Sequence, residues 1–337
     1  MASTSVWRSI LLSLARKLGF YAVTLWAALT VNFAIPRLMP GNAIDGFMGR
    51  VQGRVQGDAL NALSITLGVD NHSSLLSQYF SYLSAVAHLD FGTSLTFFPE
   101  PVSQVIGDSL PWTIALVGIS TILAFIIGTL LGIVAGWKGK AWDSVLTPFG
   151  AFASSMPYFW FGLIVVTVFA INLGWFPSYG GYDPTMTIGW NADFIGSAIS
   201  HGILPAFTIV VTAMGAWLVG MRNMMVNTTG EEFITVARAK GLRNRRVMFS
   251  YAARNALLPN VAGFALSLGF VVSGAILTEV VFSYPGIGQV LYQAIANRDY
   301  PLMQAVFLII TITVLTANLL ADLCYIWLDP RARGGRS

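Results

Sequence analysis

TGEEFITVARAKGLRNRRVMFSYAARNALLP, residues 229–259, is the stretch whose reading decides the fold. It is a long polar segment in a chain that is 55% hydrophobic and only 10% charged. It holds six basic residues (Arg238, Lys240, Arg243, Arg245, Arg246, Arg254) and two acidic ones (Glu231, Glu232). A basic polar island between apolar runs reads as a loop facing the cytoplasm. Its local chemistry predicts a helix of about 10 residues, about 15 Å long. Thr229 stands as N-cap, with Glu232 at capping-box spacing. Both carboxylates fall in the first turn and Arg238 and Lys240 in the last, as the helix dipole prefers. Gly241 follows as the residue past the C-cap. Phe233, Val236 and Ala237 share one face. That face is too weakly apolar for a core and is expected to suit a shallow groove on a partner. A second helix is expected over residues 243–258, leading through Pro259 into the membrane.

The rest of the chain agrees with that placement. Mean hydropathy is +0.68 over 337 residues, whereas soluble domains carry about 25% charged residues. A span needs about 20 apolar residues, and residues 18–38, 111–136, 145–171, 202–221, 260–282 and 302–327 qualify. Residues 1–17 read as an amphipathic cytoplasmic start, with Val6, Ile10, Leu11, Leu14 and Leu18 at helical spacing. No small-residue cleavage site follows the first span, so no cleavable signal peptide is expected. Fifteen of the 19 Lys and Arg residues fall in residues 1–17, 137–143, 222–259 and the tail 328–337. The other four are Arg37, Arg50, Arg54 and Arg298. By the positive-inside rule the first set is cytoplasmic, so both termini are inside and the span count is even. This distribution removes a nucleic-acid reading of the +4 charge. The expected fold is an all-α integral membrane protein of six transmembrane helices. A first span precedes an extracytoplasmic loop, residues 39–110. A five-helix core, residues 111–327, contains the loop 222–259.

The segment TVARAKG, from Thr235 to Gly241, with Leu258-Pro259 downstream, resembles the cytoplasmic "EAA" loop of permease subunits of bacterial ABC importers. Thr235 and Val236 stand where that pattern has Glu and Ala; Ala237 and Gly241 match it. ARAKGL followed by RNALLP is similar to the dipeptide/oligopeptide branch of the family. So are LDFGTSL (89–95), PVSQVIGDSLPWT (101–113), TEVVFSYPGIGQVLYQAI (278–295) and NLLADLCYIWLDPRAR (318–333). The resemblance implies a type I importer permease fold in a bacterial inner membrane. It implies that Glu231, Glu232, Phe233, Thr235, Val236, Ala237, Arg238, Ala239, Lys240 and Gly241 couple the chain to an ATPase. It further implies a second homologous permease, two cytoplasmic ATPase subunits and an extracytoplasmic solute-binding protein as partners. The implied solutes are di- and oligopeptides, with oligosaccharides or nickel chelates as alternatives carried by relatives. From charge alone, the basic loop also fits a segment lying on anionic headgroups.

Two carboxylates, Glu279 and Asp322, fall within spans, where an unpaired charge is costly. Glu279 lies about 9 Å from the outer end of its span. Two roles are open to it: lining the outer part of a solute pathway, or capping backbone groups near the turn Pro285-Gly286-Ile287-Gly288. That turn is no phosphate loop, because no Gly-Lys-Ser/Thr follows. Asp322 is expected in a structural hydrogen bond or salt bridge. Ser155 and Pro157 resemble a family position near the pathway, and a packing kink is the alternative. The outer loop 172–201 carries Asp183 and Asp193 and no Lys or Arg; it either faces an incoming solute or is simply solvated. His72, His88 and His201 lack metal-ligand spacing, and Cys324 is the single cysteine. No catalytic motif or P-loop is present, so no catalytic, cofactor or metal residues are expected. A transport role without its own ATPase activity follows. An ion-coupled carrier would need more intramembrane coupling groups, and an intramembrane enzyme a nucleophile and base within the spans.

Overall fold

In the computed structural model, which describes residues 2–39, 74–269, 271 and 275–328, helices dominate. The only β-type contact among the described residues is an isolated bridge between Thr93 and Pro101. The expectations for His72 and the tail fall outside the described residues, as do those for the side chains of Asp322 and Cys324.

Helix α1 spans Ala2–Leu38. The amphipathic start and first span, expected as separate segments, are therefore one rod, since nothing between them breaks the helix. Helix α2 is Leu75–Ala87, capped by Ser74, whose side chain accepts the Ser77 N–H. Helix α3, Val102–Trp137, starts before the expected residue 111 and runs through Pro111. Val102, Val105 and Ile106 are buried at helical spacing and hold the extra turns. Helix α4, Lys140–Ser155, and helix α5, Tyr158–Val165, replace a straight third span. A π-helical run, Val166–Asn172, continues α5. The two parts bend by 100° at Met156-Pro157. Pro157 lacks an N–H and pushes the residue before it out of helical geometry, and Met156 is extended at φ −79, ψ 128.

Helix α6, Ala192–Thr229, is followed by the short α7, Glu232–Ala239. Asn244–Arg246 and a π-helical run, Val247–Ala253, lead into α8, Arg254–Gly269. The chain closes with α9 (Ile276–Val281), α10 (Ile287–Ala296) and α11 (Tyr300–Leu328). Among the described residues, Gly19–Leu38, Val102–Trp137, Ala192–Thr229 and Tyr300–Leu319 are long and apolar enough to cross a membrane, and the bent pair makes a fifth. Within the span expected over residues 260–282, α8 reaches Gly269 and α9 begins at Ile276, and most of what lies between falls outside the described residues.

The chain forms two compact units. In Met1–Asp108 with Val290–Thr316, Phe33 of α1 packs against Tyr79 and Tyr82 of α2. Asn32 donates to Tyr82 Oη at 3.1 Å and to the Gln304 carbonyl at 2.7 Å.

The second unit, Ser109–Gln289 with Ala317–Ser337, is built around α6. Gly128, Gly132 and Gly136 of α3 recur every fourth residue and face it. A methyl group on Gly132 would lie 2.7 Å from Met221 Cβ, and one on Gly128 2.8 Å from Trp217 Cβ. Small residues at this spacing let two backbones close together where lipid offers no hydrophobic drive. Gly215 of α6 does the same for α4, resting on the backbone of Gly150 and Ser154. Arg222 of α6 then ties down the start of α4. Its Nε donates to Asp143 Oδ1 at 2.8 Å and its Nη2 pairs with the other carboxylate oxygen.

Candidate functional site

Two regions carry the candidate residues: the loop around α7, and the turn before α10. In the first, α6 continues through Thr229, whose hydroxyl donates to the Val226 carbonyl at 2.8 Å. The expected capping box with Glu232 therefore does not form: Thr229 is spent on its own helix. Glu231 is the N-cap and makes no side-chain cap bond. The end of α7 is as expected. Gly241 sits at φ +70 and donates to the Arg238 carbonyl at 2.9 Å.

The faces of α7 differ from the sequence expectation. Ala237 is 3% exposed and Ile234, which the sequence reading passed over, 1%, whereas Phe233 is 39% and Val236 52% exposed. Ile234 and Ala237 pack into a core made by Ile133 of α3, Met221 and Met225 of α6, Val247, Met248, Ala252 and Ala253 of the π-helical run, and Ala256 of α8. Ala237 thus belongs to the chain's own interior and not to a docking face. The physical reason lies beneath the helix: a methionine floor accepts one side of α7. The π-helical run supplies the other wall, since its wider turns bring residues five apart, Val247 with Ala252 and Met248 with Ala253, to one side. The outward surface of α7 is Glu232, Phe233, Thr235, Val236, Arg238 and Ala239, flanked by Glu231, Lys240 and Gly241, all exposed. Arg238 stands 5.1 Å over the ring of Trp137, the last residue of α3, within cation–π range.

At the second region, Glu279 of α9 is 1% exposed. Its Oε1 accepts the Thr113 hydroxyl at 2.7 Å and its Oε2 the Gly288 N–H at 2.6 Å. The Thr113 hydroxyl also accepts the Ile287 N–H at 2.8 Å. The first two N–H groups of α10, which have no partner within the helix, are thus satisfied by α3 and α9. Of the two roles open to Glu279, the geometry realises the cap. Gly286 and Gly288 are explained with it. A methyl group on Gly286 would overlap the carboxylate, and one on Gly288 would lie 2.5 Å from Ile276 Cα. The structure therefore brings Glu279, Pro285, Gly286 and Gly288 together, with Thr113 as the member the sequence reading missed. Ser155 and Pro157 lie apart from them, exposed at the α4–α5 break, where Ser155 donates to the Ala151 carbonyl at 2.7 Å.

The loop expected over residues 172–201 ends at Asn191, where α6 begins, and it is not merely solvated. Gly180 donates to the Phe282 carbonyl at 2.9 Å, and Gly181 leaves no room for a side chain beside Pro285. Trp112 stacks on Tyr182 with centroids 5.7 Å apart and meets Tyr284 edge to face. Asp183 accepts the N–H and hydroxyl of Thr185, which hold its carboxyl below the usual range. A second buried carboxylate, Asp299, escaped the sequence reading. It accepts the Ser94 hydroxyl at 2.6 Å, the Thr96 N–H at 2.8 Å and the Leu302 N–H at 3.1 Å. The signal was Asp just before Tyr300-Pro301, an N-cap followed by a proline in the first turn. Among the described residues, no three His, Cys, Asp or Glu side chains gather as a metal would need.

Comparison with known proteins gives these sites a context. Residues 128–334 match the model of the family described as binding-protein-dependent transport system inner membrane component. The di/tripeptide transport system permease protein DppB of Pseudomonas aeruginosa (strain UCBPP-PA14) is 34% identical, over 96% of this chain and 99% of its own. The oligopeptide transport system permease protein AppB of Bacillus subtilis (strain 168) is 36% identical, over 75% and 79%. The dipeptide transport system permease protein DppB of Escherichia coli (strain K12) is 31% identical, over 94% and 97%. A solved chain of the MetNI methionine ABC transporter, in an inward-facing conformation, shares the fold at TM-score 0.53 and 17% identity, covering 70% of this chain and 100% of that one. The chain belongs to the family of binding-protein-dependent transport system inner membrane components.

Proposed function

We propose that this chain is one of two permease subunits of an ATP-driven importer, forming with its homologous partner a pathway for di- and oligopeptides. Two cytoplasmic ATPase subunits bind beneath it and supply the energy, and an extracytoplasmic protein delivers the peptide. The observation that carries the reading is the two-sidedness of α7. Ile234 and Ala237 rivet it to α3, α6 and α8, while Phe233 and Val236 are left outside. A helix held this way cannot slide without moving the long helices above it, so a push on its outer face is passed into the membrane. Glu231, Glu232, Thr235, Arg238, Ala239, Lys240 and Gly241 complete the coupling surface around Phe233 and Val236. ATP binding biases access to one side through contacts that differ between the two states. The names of the relatives support peptides as the solute. Six spans with both termini cytoplasmic, an extracytoplasmic loop at residues 39–110 and a cytoplasmic tail at residues 328–337 accompany this reading.

The test is gentle purification of the chain from its native membrane, mass spectrometry of what accompanies it, and reconstitution of the complex for peptide uptake. A second permease, ATPase subunits and a binding protein, with vanadate-sensitive peptide uptake, are expected. A chain that transports alone, driven by an ion gradient, sinks the proposal. Uptake of oligosaccharides in place of peptides retains the machinery and overturns the solute class.

A further inference from the structure

We propose that Glu279 is a positioning residue: it clasps the outer part of α3 to the turn that opens α10, so that the two move as one body during transport, and it does not bind solute. This deepens the importer reading and rests on it for its functional meaning. Both carboxylate oxygens are engaged, one by Thr113 and one by Gly288, and the group is 1% exposed. At that burial neither oxygen is open to a passing peptide. Thr113 works twice, donating to Glu279 and accepting from Ile287. Removing either side chain therefore leaves N–H groups at the start of α10 without partners. The turn is shaped around the carboxylate, because a methyl group on Gly288 would lie 2.9 Å from Glu279 Oε2.

The clasp is continuous with the layer outside it. Trp112, beside Thr113, is stacked on Tyr182 and abuts Tyr284, and Phe282 accepts from Gly180. Sliding α3 against the turn would bury a carboxylate with no donors, which is far more costly than moving the whole layer together. Glutamine is not a conservative replacement. It keeps one acceptor oxygen, and its amide would face a second donor.

The test uses the complete reconstituted transporter and four variants: Thr113→Val, Thr113→Ser, Glu279→Gln, and the Val/Gln double. Thr113→Val is expected to lower maximal uptake of a radiolabelled dipeptide about tenfold, with KM unchanged and more ATP hydrolysed per peptide moved. Thr113→Ser restores the rate. Glu279→Gln falls as far as Thr113→Val, and the double variant no further, because the two residues act as a unit. Three results overturn the clasp: equal activity of the Val and Ser variants, losses that multiply in the double, or a Glu279→Gln effect confined to KM or to peptide charge preference. If Glu279→Gln fails to assemble, the Val and Ser pair decides alone. A second readout needs no transport at all. Thr278, buried beside Glu279, is replaced by cysteine in a Cys324→Ser background. Thr113→Val should speed its labelling by a membrane-impermeant maleimide about tenfold; an unchanged rate rejects the clasp, whether or not the wild type moves peptide.

Discussion

Adjacent residues on α7 carry opposite duties. Ala237→Arg puts a charged side chain where Met221, Met225 and Val247 close in, and the cost is expected to exceed about 3 kcal/mol. The variant should be nearly absent from the membrane, or unfold at much lower temperature in detergent. Val236→Arg points outward and should fold normally, with melting unchanged. In the purified complex it should instead reduce peptide-stimulated ATP hydrolysis several-fold. Equal behaviour of the two variants would contradict the burial pattern. Asp299 makes a third case. Its replacement by alanine strands the donors of Ser94, Thr96 and Leu302 and should cost about 3 kcal/mol, read as a drop in melting temperature. Of these residues, Ala237 and Val236 were legible as members of the loop. Their faces were not, because periodicity puts Phe233, Val236 and Ala237 on one arc and cannot say what lies under it. Ile234 is one residue away from that arc and is the better buried.

Elements show the same division. The glycines at 128, 132 and 136 stand in the sequence at G-x-x-x-G spacing, yet only the fold names α6 as what they meet. Gly132→Leu would drive a side chain into Met221 and the Leu218 carbonyl. It is expected to cost about 3 kcal/mol or more, measured by the fraction of protein surviving a detergent melt; a wild-type melt would dismiss the stripe as a packing device. Gly118→Leu, with nothing beside it, is the control on the same helix. The α4–α5 bend was half legible. Pro157 announces a break, but its angle of 100° depends on how the flanking helices pack.

For the whole molecule, cysteines placed at residues 3 and 335 in a Cys324→Ser background should be labelled only from the cytoplasmic side, as the charge of the loops requires. Labelling of either from outside would leave an odd number of crossings and undo the six-span reading. What the sequence determined by itself was class: an all-α membrane chain with its basic residues gathered in a few loops, and a loop resembling that of importer permeases. These are properties of composition, period and spacing, and they survive without knowledge of contacts. Only the tertiary structure decided that Ala237 faces inward, that Thr229 belongs to α6, that Glu279 caps α10, and that Thr113 and Asp299 matter at all. Thr229 aside, each of these involves a partner far away along the chain: 166 residues separate Thr113 from Glu279, and 205 separate Ser94 from Asp299. A carboxylate's role is set by which donors surround it, and a helix face by the surface beneath it; neither is a local property of the sequence.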